Sequence, residues 1–181
     1  MPTINGANGW DANVTIDGQL ETYSVVEEEA LHANKHKASA YTVMVDVTSA
    51  TTDDDFFYLK NLDDRDLIIT KIEGWCDDAN QEISVFIGGT DAGTDAGDDL
   101  VPANQNAGSG NIADVDCTQD ATDLAITGGR IVRLLKFPTV ALERALFTWP
   151  EGITIPKNQR FHLQAALAGL INLNISFYFH N

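Results

Sequence analysis

The stretch that decides the fold lies near the end of the chain and reads Ile171-Asn172-Leu173-Asn174-Ile175-Ser176-Phe177-Tyr178-Phe179. Its odd-numbered residues are large and apolar, whereas its even-numbered residues are polar or, at Tyr178, amphipathic. A period of two places successive side chains on opposite faces of a sheet, while a helix would spread the same apolar residues around its circumference. The stretch therefore predicts a β-strand with one buried face, and burial of each apolar side chain contributes roughly 1.5–3 kcal/mol.

Similar short β-rich runs recur along the chain and are separated by Gly, Pro, Asn and Asp. They cover residues 41–47, 56–60, 67–72, 83–87, 131–137 and 161–165. Many short strands without long helical segments between them are typical of a sandwich or jelly roll and disfavour a parallel α/β sheet. We predict an all-β fold, an antiparallel β-sandwich of jelly-roll type over residues 41–181, preceded by an extended N-terminal arm over residues 1–40.

Three connecting segments carry weaker local signals. The short Asn- and Asp-rich link at 61–66 predicts that the runs on either side of it form a hairpin. Residues 138–146 are compatible with a single helical turn that begins at Pro138. Residues 21–37 begin acidic and end basic, which fits either a short helix or an extended segment.

Composition favours one domain with a substantial core and an acidic surface. The chain has 181 residues, of which 44% are hydrophobic, and a formal net charge of −16. Such a charge disfavours binding to nucleic acid and to anionic membranes. The two cysteines, Cys76 and Cys117, permit one disulfide without implying it. Neither a signal-peptide pattern nor a membrane-spanning run is present, so we expect a soluble protein made without classical secretion.

The sequence does not predict an enzyme. It contains no nucleophile elbow and no Gly-rich phosphate loop that ends in Lys-Ser or Lys-Thr, and neither cysteine has an adjacent histidine to lower its pKa. His32 and His36 have the spacing of half a zinc site on a helix, but no further ligands lie nearby in the sequence. We expect no catalytic residues, no metal and no cofactor.

Calcium remains an open question in the long Gly-rich loop of residues 88–111. Hard oxygen ligands are available there from Asp91, Asp95, Asp98 and Asp99. Their spacing matches neither an EF-hand nor the repeat of a calcium β-roll, so a solvated acidic loop is the competing interpretation.

Several segments resemble the small β-sandwich virion proteins of tailed bacteriophages that decorate or cement the capsid. These segments are residues 38–41, 55–62, 66–72 and 152–161, the last with an Ile155-Pro156-Lys157 turn before Phe161. The resemblance extends over roughly residues 30–181. It implies an N-terminal arm before a jelly roll and a homotrimer bound to the major capsid protein on the capsid surface of the virion, after synthesis in the host cytoplasm. It implies no catalytic residues.

We therefore expect a structural virion protein, a decoration or cement protein that stabilises the shell from outside. The residues expected to contact capsid subunits are the apolar ones of the arm, namely Ile4, Trp10, Val14 and Ile16. The alternative is a carbohydrate- or receptor-binding head of a phage fibre. In that case residues 88–111 would form the binding edge and Trp75 or Trp149 would stack on the ligand, although core or interface packing is the interpretation that we favour for both tryptophans.

Overall fold

Two antiparallel sheets packed face to face form the body of the protein in the computed structural model, which describes residues 3–5, 11–14, 20–21, 29–90, 97–122 and 124–180. The six-stranded sheet has the order β11 (Arg130–Lys136), β7 (Glu82–Ile87), β13 (Arg160–Ala165), β5 (Asp54–Asn61), β10 (Val115–Gln119) and β8 (Asp98–Asp99). The five-stranded sheet has the order β12 (Ala145–Ile155), β6 (Asp66–Cys76), β14 (Gly169–His180), β4 (Ala40–Ser49) and β9 (Ala103–Asn104).

The order of the eight longest strands is that of a jelly roll. Four of them form the row β12-β6-β14-β4 in one sheet, and the other four form the row β11-β7-β13-β5 in the facing sheet. Along the chain, these eight strands change sheet at every connection except the one from β7 to β11, which produces the interlocked antiparallel arrangement of this fold. The predicted all-β, antiparallel sandwich of jelly-roll type is confirmed.

The predicted decisive strand, β14, lies in the middle of the five-stranded sheet. It pairs with β4 on one side and β6 on the other. Leu173 and Ile175 are fully buried between the sheets, and the ring of Phe177 stacks on that of Tyr41 at a centroid distance of 5.6 Å. The alternation in the sequence thus corresponds to one face in the core and one face directed outward.

The predicted hairpin between the runs at 56–60 and 67–72 is wrong. The first run is part of β5 and the second is part of β6, and these strands belong to different sheets. The side chain of Asn61 is fully buried at the crossing, where its Nδ2 donates to the carbonyl oxygens of Arg65 (2.8 Å) and Ile155 (2.9 Å). These bonds fix residues 61–66 as a connection between the two sheets, so this segment does not form a hairpin turn.

The predicted helical turn at 138–146 is also wrong. Leu142 has a left-handed φ of 63°, and its N–H donates to the carbonyl of Cys76 at 2.8 Å. Because that hydrogen bond leads to a neighbouring strand, the segment forms an irregular turn, and β12 begins at Ala145.

The segment before the sandwich contains its own small elements. Strands β1 (Thr3–Asn5), β2 (Asp11–Val14) and β3 (Leu20–Glu21) form a separate three-stranded antiparallel sheet. A short helix, α1 (Glu29–His32), continues into one π-helical turn over Ala33–Lys37. Of the predicted contact residues, Ile4 lies in β1 and Val14 lies in β2, while Trp10 and Ile16 lie outside the described residues. The division of the chain at residue 40 stays a prediction.

Candidate functional site

The N-terminal segment joins the sandwich at residues 33–40, which we call the junction. A small apolar cluster seats it on the outer face of the five-stranded sheet, and its buried members are Ala33, Ala40, Ile68 and Tyr178. The chain turns sharply at Ala38, whose φ is 48°. The N–H of Ser39 donates to the carbonyl of Ala33 at 3.1 Å, which closes this turn. Burial and hydrogen bonding together fix the direction in which the chain enters β4.

Amide side chains from the long loop hold the junction from the other side. Nδ2 of Asn104 donates to the carbonyl of Ala38 at 2.8 Å, and Nδ2 of Asn106 donates to the carbonyl of Asn34 at 3.3 Å. Nδ2 of Asn111 also donates to the carbonyl of Ala38, at 3.3 Å. The second half of the loop therefore binds the protein's own backbone. Our sequence reasoning missed this role, although the density of Asn and Gln at 104–111 is a signal for it, since each amide offers two donors to free carbonyls.

An open groove of about 600 Å³ lies beside the junction, on the outer face of the five-stranded sheet. Its floor includes Lys71 from β6 and Ser176 from β14, one wall includes Trp149 and Glu151 from β12, and the other includes Gln105. The residues that line the groove thus include a tryptophan, a glutamine, a serine and charged residues of both signs, a set that suits a small polar ligand with an apolar face.

A break in strand pairing builds the wall that contains Trp149. The register between β12 and β6 shifts between Thr148 and Ile153, and Gly152 has a left-handed φ of 69°. Such a bulge bends one strand away from its partner. The half-buried Trp149 packs against the edge of the core while it lines the groove. Trp75 is also half-buried, but it does not line the groove.

The described residues of the acidic loop do not form a metal site. Asp98 and Asp99 are exposed in β8, while Asp91 and Asp95 lie outside the described residues. Within the described part of the chain, no three His, Cys, Asp or Glu side chains gather in a way that could hold a metal ion. Calcium binding by this loop therefore stays an open prediction.

His162 is a buried histidine whose pKa is strongly lowered. It is 1% exposed on the outer side of the six-stranded sheet, where its ring stacks on Phe86 at 4.6 Å with an interplanar angle of 9°. Its Nε2 lies 3.8 Å from Oδ1 of Asp55, which is beyond hydrogen-bonding distance. Burial lowers the pKa of His162 to about 4, and a hydrogen bond with the backbone of Gly88 acts in the opposite direction with smaller effect.

Both cysteines are free and buried in the core. Burial, reinforced by Asp77 and Asp78, raises the pKa of the Cys76 thiol to about 12. Burial also raises the pKa of the Cys117 thiol, with Asp116 as the next cause. Because the thiolate is the reactive form, neither thiol is suited to nucleophilic chemistry at neutral pH.

Comparison of the chain with protein-family models, with curated proteins and with solved structures found no match. Among the described residues, no helix has the length and apolar character needed to cross a bilayer.

Proposed function

We propose that the protein is a structural virion protein, a decoration or cement protein that binds the outside of a shell of major capsid protein and stabilises it. The assembled unit in this proposal is a homotrimer. The observation that carries the proposal is the junction at residues 33–40. It seats the start of a jelly roll firmly, while the strands that precede it, β1–β3, pair with one another and add to neither sheet of the sandwich.

A cement protein needs such an attachment for a physical reason. Ordering an arm on a neighbouring subunit costs conformational entropy, and that cost falls when the point of exit is already fixed. Contacts made by the arm then stabilise the shell by mass action, by about 2.7 kcal/mol per site at a concentration one hundred times the dissociation constant. The amides of Asn104, Asn106 and Asn111 support this proposal because their hydrogen bonds fix the junction within a single copy of the chain, before a capsid subunit binds.

The test is addition of the purified protein to expanded capsids that lack it. We expect saturable binding and a higher disruption temperature of the shells. A quadruple variant that replaces Ile4, Trp10, Val14 and Ile16 by Ser should bind at least about a hundredfold more weakly, because two lost apolar anchors already account for that factor.

Leu167→Ser provides the matched control, since Leu167 is an exposed apolar residue in the turn between β13 and β14. It should bind shells like the parent protein, and both variants should keep the parent's unfolding midpoint. Absence of shell binding by the parent protein would contradict the function. Full binding by the quadruple variant would contradict only the role of the arm.

The groove favours a second candidate, a carbohydrate-binding head. Trp149, one of the two tryptophans that the sequence suggested for this role, and Gln105, from the suggested loop, line the same cavity. An aromatic ring beside polar groups is the usual arrangement for a sugar, which has an apolar face and hydroxyl edges.

Glycan binding by the two tryptophan variants tests this candidate. Trp149→Ala should lose at least about tenfold in affinity for a bound glycan, because removing a stacking ring costs more than 1.4 kcal/mol at a central contact. Trp75→Ala is the control and should bind like the parent, since Trp75 lies outside the groove. A parent protein that binds no glycan on an array would rule the candidate out.

A further inference from the structure

The charges of this chain are divided unevenly along its sequence. No Lys or Arg occurs between Lys71 and Arg130, and that interval contains twelve Asp and Glu. The next interval, residues 130–160, contains six Lys and Arg and two Glu. The fold brings part of this division to two lateral edges of the sandwich. Four of the six basic residues lie in β11 or in the turn between β11 and β12, whereas Asp98 and Asp99 lie in β8 on the opposite side.

The first of these, which we call the basic edge, consists of β11, β12 and the turn between them. Among the described strands, each of these two has a neighbour on one side only, so their outer backbone groups face away from the sheets. Arg130 and Arg133 are exposed and form no ion pair with any described residue. Lys136 and Arg144 are also exposed but are paired with glutamates of the adjacent strands at 2.6 and 3.5 Å. Two guanidinium groups of β11 thus have no carboxylate partner within the described part of the chain, and that of Arg133 donates only to the carbonyl of Val132, at 3.3 Å.

The basic edge also carries an unusual amount of exposed apolar surface. Five large aliphatic side chains are between 47% and 61% exposed along it, and they are Ile131, Leu134, Val140, Leu142 and Leu146. Single exposed apolar residues are normal on a soluble protein, but five of them on two edge strands and the turn that joins these strands are more than scattered exposure accounts for.

The opposite side of the sandwich, which we call the acidic edge, consists of β8, β9 and the described residues next to these two strands. Asp98 and Asp99 are exposed there. Val101, at 80%, and Ile112, at 79%, are the most exposed large apolar side chains among the described residues. The acidic edge therefore presents the complement of the basic edge, carboxylates where that edge has guanidinium groups, together with apolar side chains of its own.

We propose that the basic edge of one copy of this chain docks head to tail against the acidic edge of a second copy. The charge pattern gives the orientation, because two basic edges or two acidic edges would repel each other. At an ionic strength of 0.15 M, charges are screened over about 8 Å, so the net negative charge of each copy opposes association less than the touching side chains favour it. A head-to-tail contact uses two different surfaces, so it closes into a ring or continues as a filament.

Light scattering of the purified full chain tests the contact through two charge reversals. The parent protein should exceed the monomer mass, whereas Arg133→Glu and Asp99→Lys should each weaken self-association at least tenfold. Mixed in equal amounts, these two variants should form a 1:1 complex at a concentration where each alone is a monomer. The reason is that the intact acidic edge of Arg133→Glu meets the intact basic edge of Asp99→Lys.

Lys157→Glu and Asp64→Lys change the net charge by the same amounts at exposed positions outside the edge strands β8, β9, β11 and β12, and they should associate like the parent. A parent protein that is monomeric up to about 1 mM would overturn the proposal. So would a parent oligomer that Arg133→Glu leaves unchanged, because that result places the contact elsewhere. This contact rests on the proposed function in one respect, because it specifies how the copies of the proposed homotrimer would associate. It is measured without shells, so its failure would contradict the homotrimer and leave the shell-binding test unaffected.

Discussion

Replacement of Gly74 by Ala is expected to lower the free energy of unfolding by about 3 kcal/mol, although an alanine in a strand is intrinsically preferred to a glycine. Gly74 lies within β6, between β12 and β14, where its register partners are Ala145 and Leu173. A methyl group at this position would collide with the carbonyl oxygen of Asn172 and would lie 2.9 Å from Cα of Leu173. These are backbone atoms of the central strand, so relief of the collision requires two paired strands to move apart.

Gly110→Ala is the matched control for this prediction. No heavy atom lies within 4 Å of a methyl group built there, and Gly110 is exposed. We expect it to change the free energy of unfolding by no more than about 0.5 kcal/mol. Chemical denaturation of the two variants gives the comparison directly. Equal stability of the two would show that β6 and β14 do not approach as closely as the structure has them.

Gly74 also illustrates which parts of the fold sequence reasoning could reach. Alternation located the strands and the sandwich, because burial of one face imposes a period of two wherever a strand occurs. It placed the end of the third run at residue 72, whereas β6 continues through Gly74 to Cys76. A glycine is ordinarily a turn signal. Here it allows a neighbouring strand to approach closely, and that strand contributes Asn172 and Leu173, which lie about one hundred positions later in the chain.

Alternation could not predict how the strands are connected either, because the connections also depend on contacts between distant residues. A short acidic link is equally compatible with a hairpin and with a crossing between sheets, and the decision rests on one buried amide, Asn61, and its two carbonyl partners. The junction is similar, since local sequence does not reveal which carbonyls Asn104 and Asn106 will bind. Long-range hydrogen bonds of single side chains thus decide features that periodicity leaves open.

Acidification is expected to remove about 3 kcal/mol of stability through His162 alone, and most of the loss should fall between pH 6.5 and pH 4. In the unfolded chain a histidine has a pKa of about 6.5, whereas in the folded protein the pKa of His162 is about 4. Between these values the unfolded chain binds a proton that the folded protein does not, so protonation favours unfolding. The contribution is complete above pH 6.5 and is lost as the pH falls toward 4.

The measurement is the free energy of unfolding at pH 7.5 and at pH 4.5 for the parent protein and for His162→Gln. Carboxylates also titrate in this range, so the informative quantity is the difference between the two drops in stability, which should be smaller in His162→Gln by more than 2 kcal/mol. His180→Gln, at the exposed end of β14, should show the same drop as the parent. An equal drop in all three proteins would mean that His162 is not the titrating group.

The position of His162 also indicates where acid acts first. Its ring lies outside the six-stranded sheet, beneath a covering segment at residues 124–129, because a methyl group built on Gly129 would lie 3.2 Å from Cε1 of the imidazole. The backbone bonds that connect this segment to the rest of the chain include those from the N–H of Leu124 to the carbonyl of Asp55 and from the N–H of Thr127 to the carbonyl of Thr90, both 2.9 Å. The charged imidazolium is stabilised when water reaches it, and displacement of residues 124–129 requires less free energy than separation of the two sheets.

Hydrogen exchange at Leu124 and Thr127 should therefore accelerate at pH 5 while the amides of β14 remain protected. Simultaneous exchange in both regions would instead show that acid acts through global unfolding.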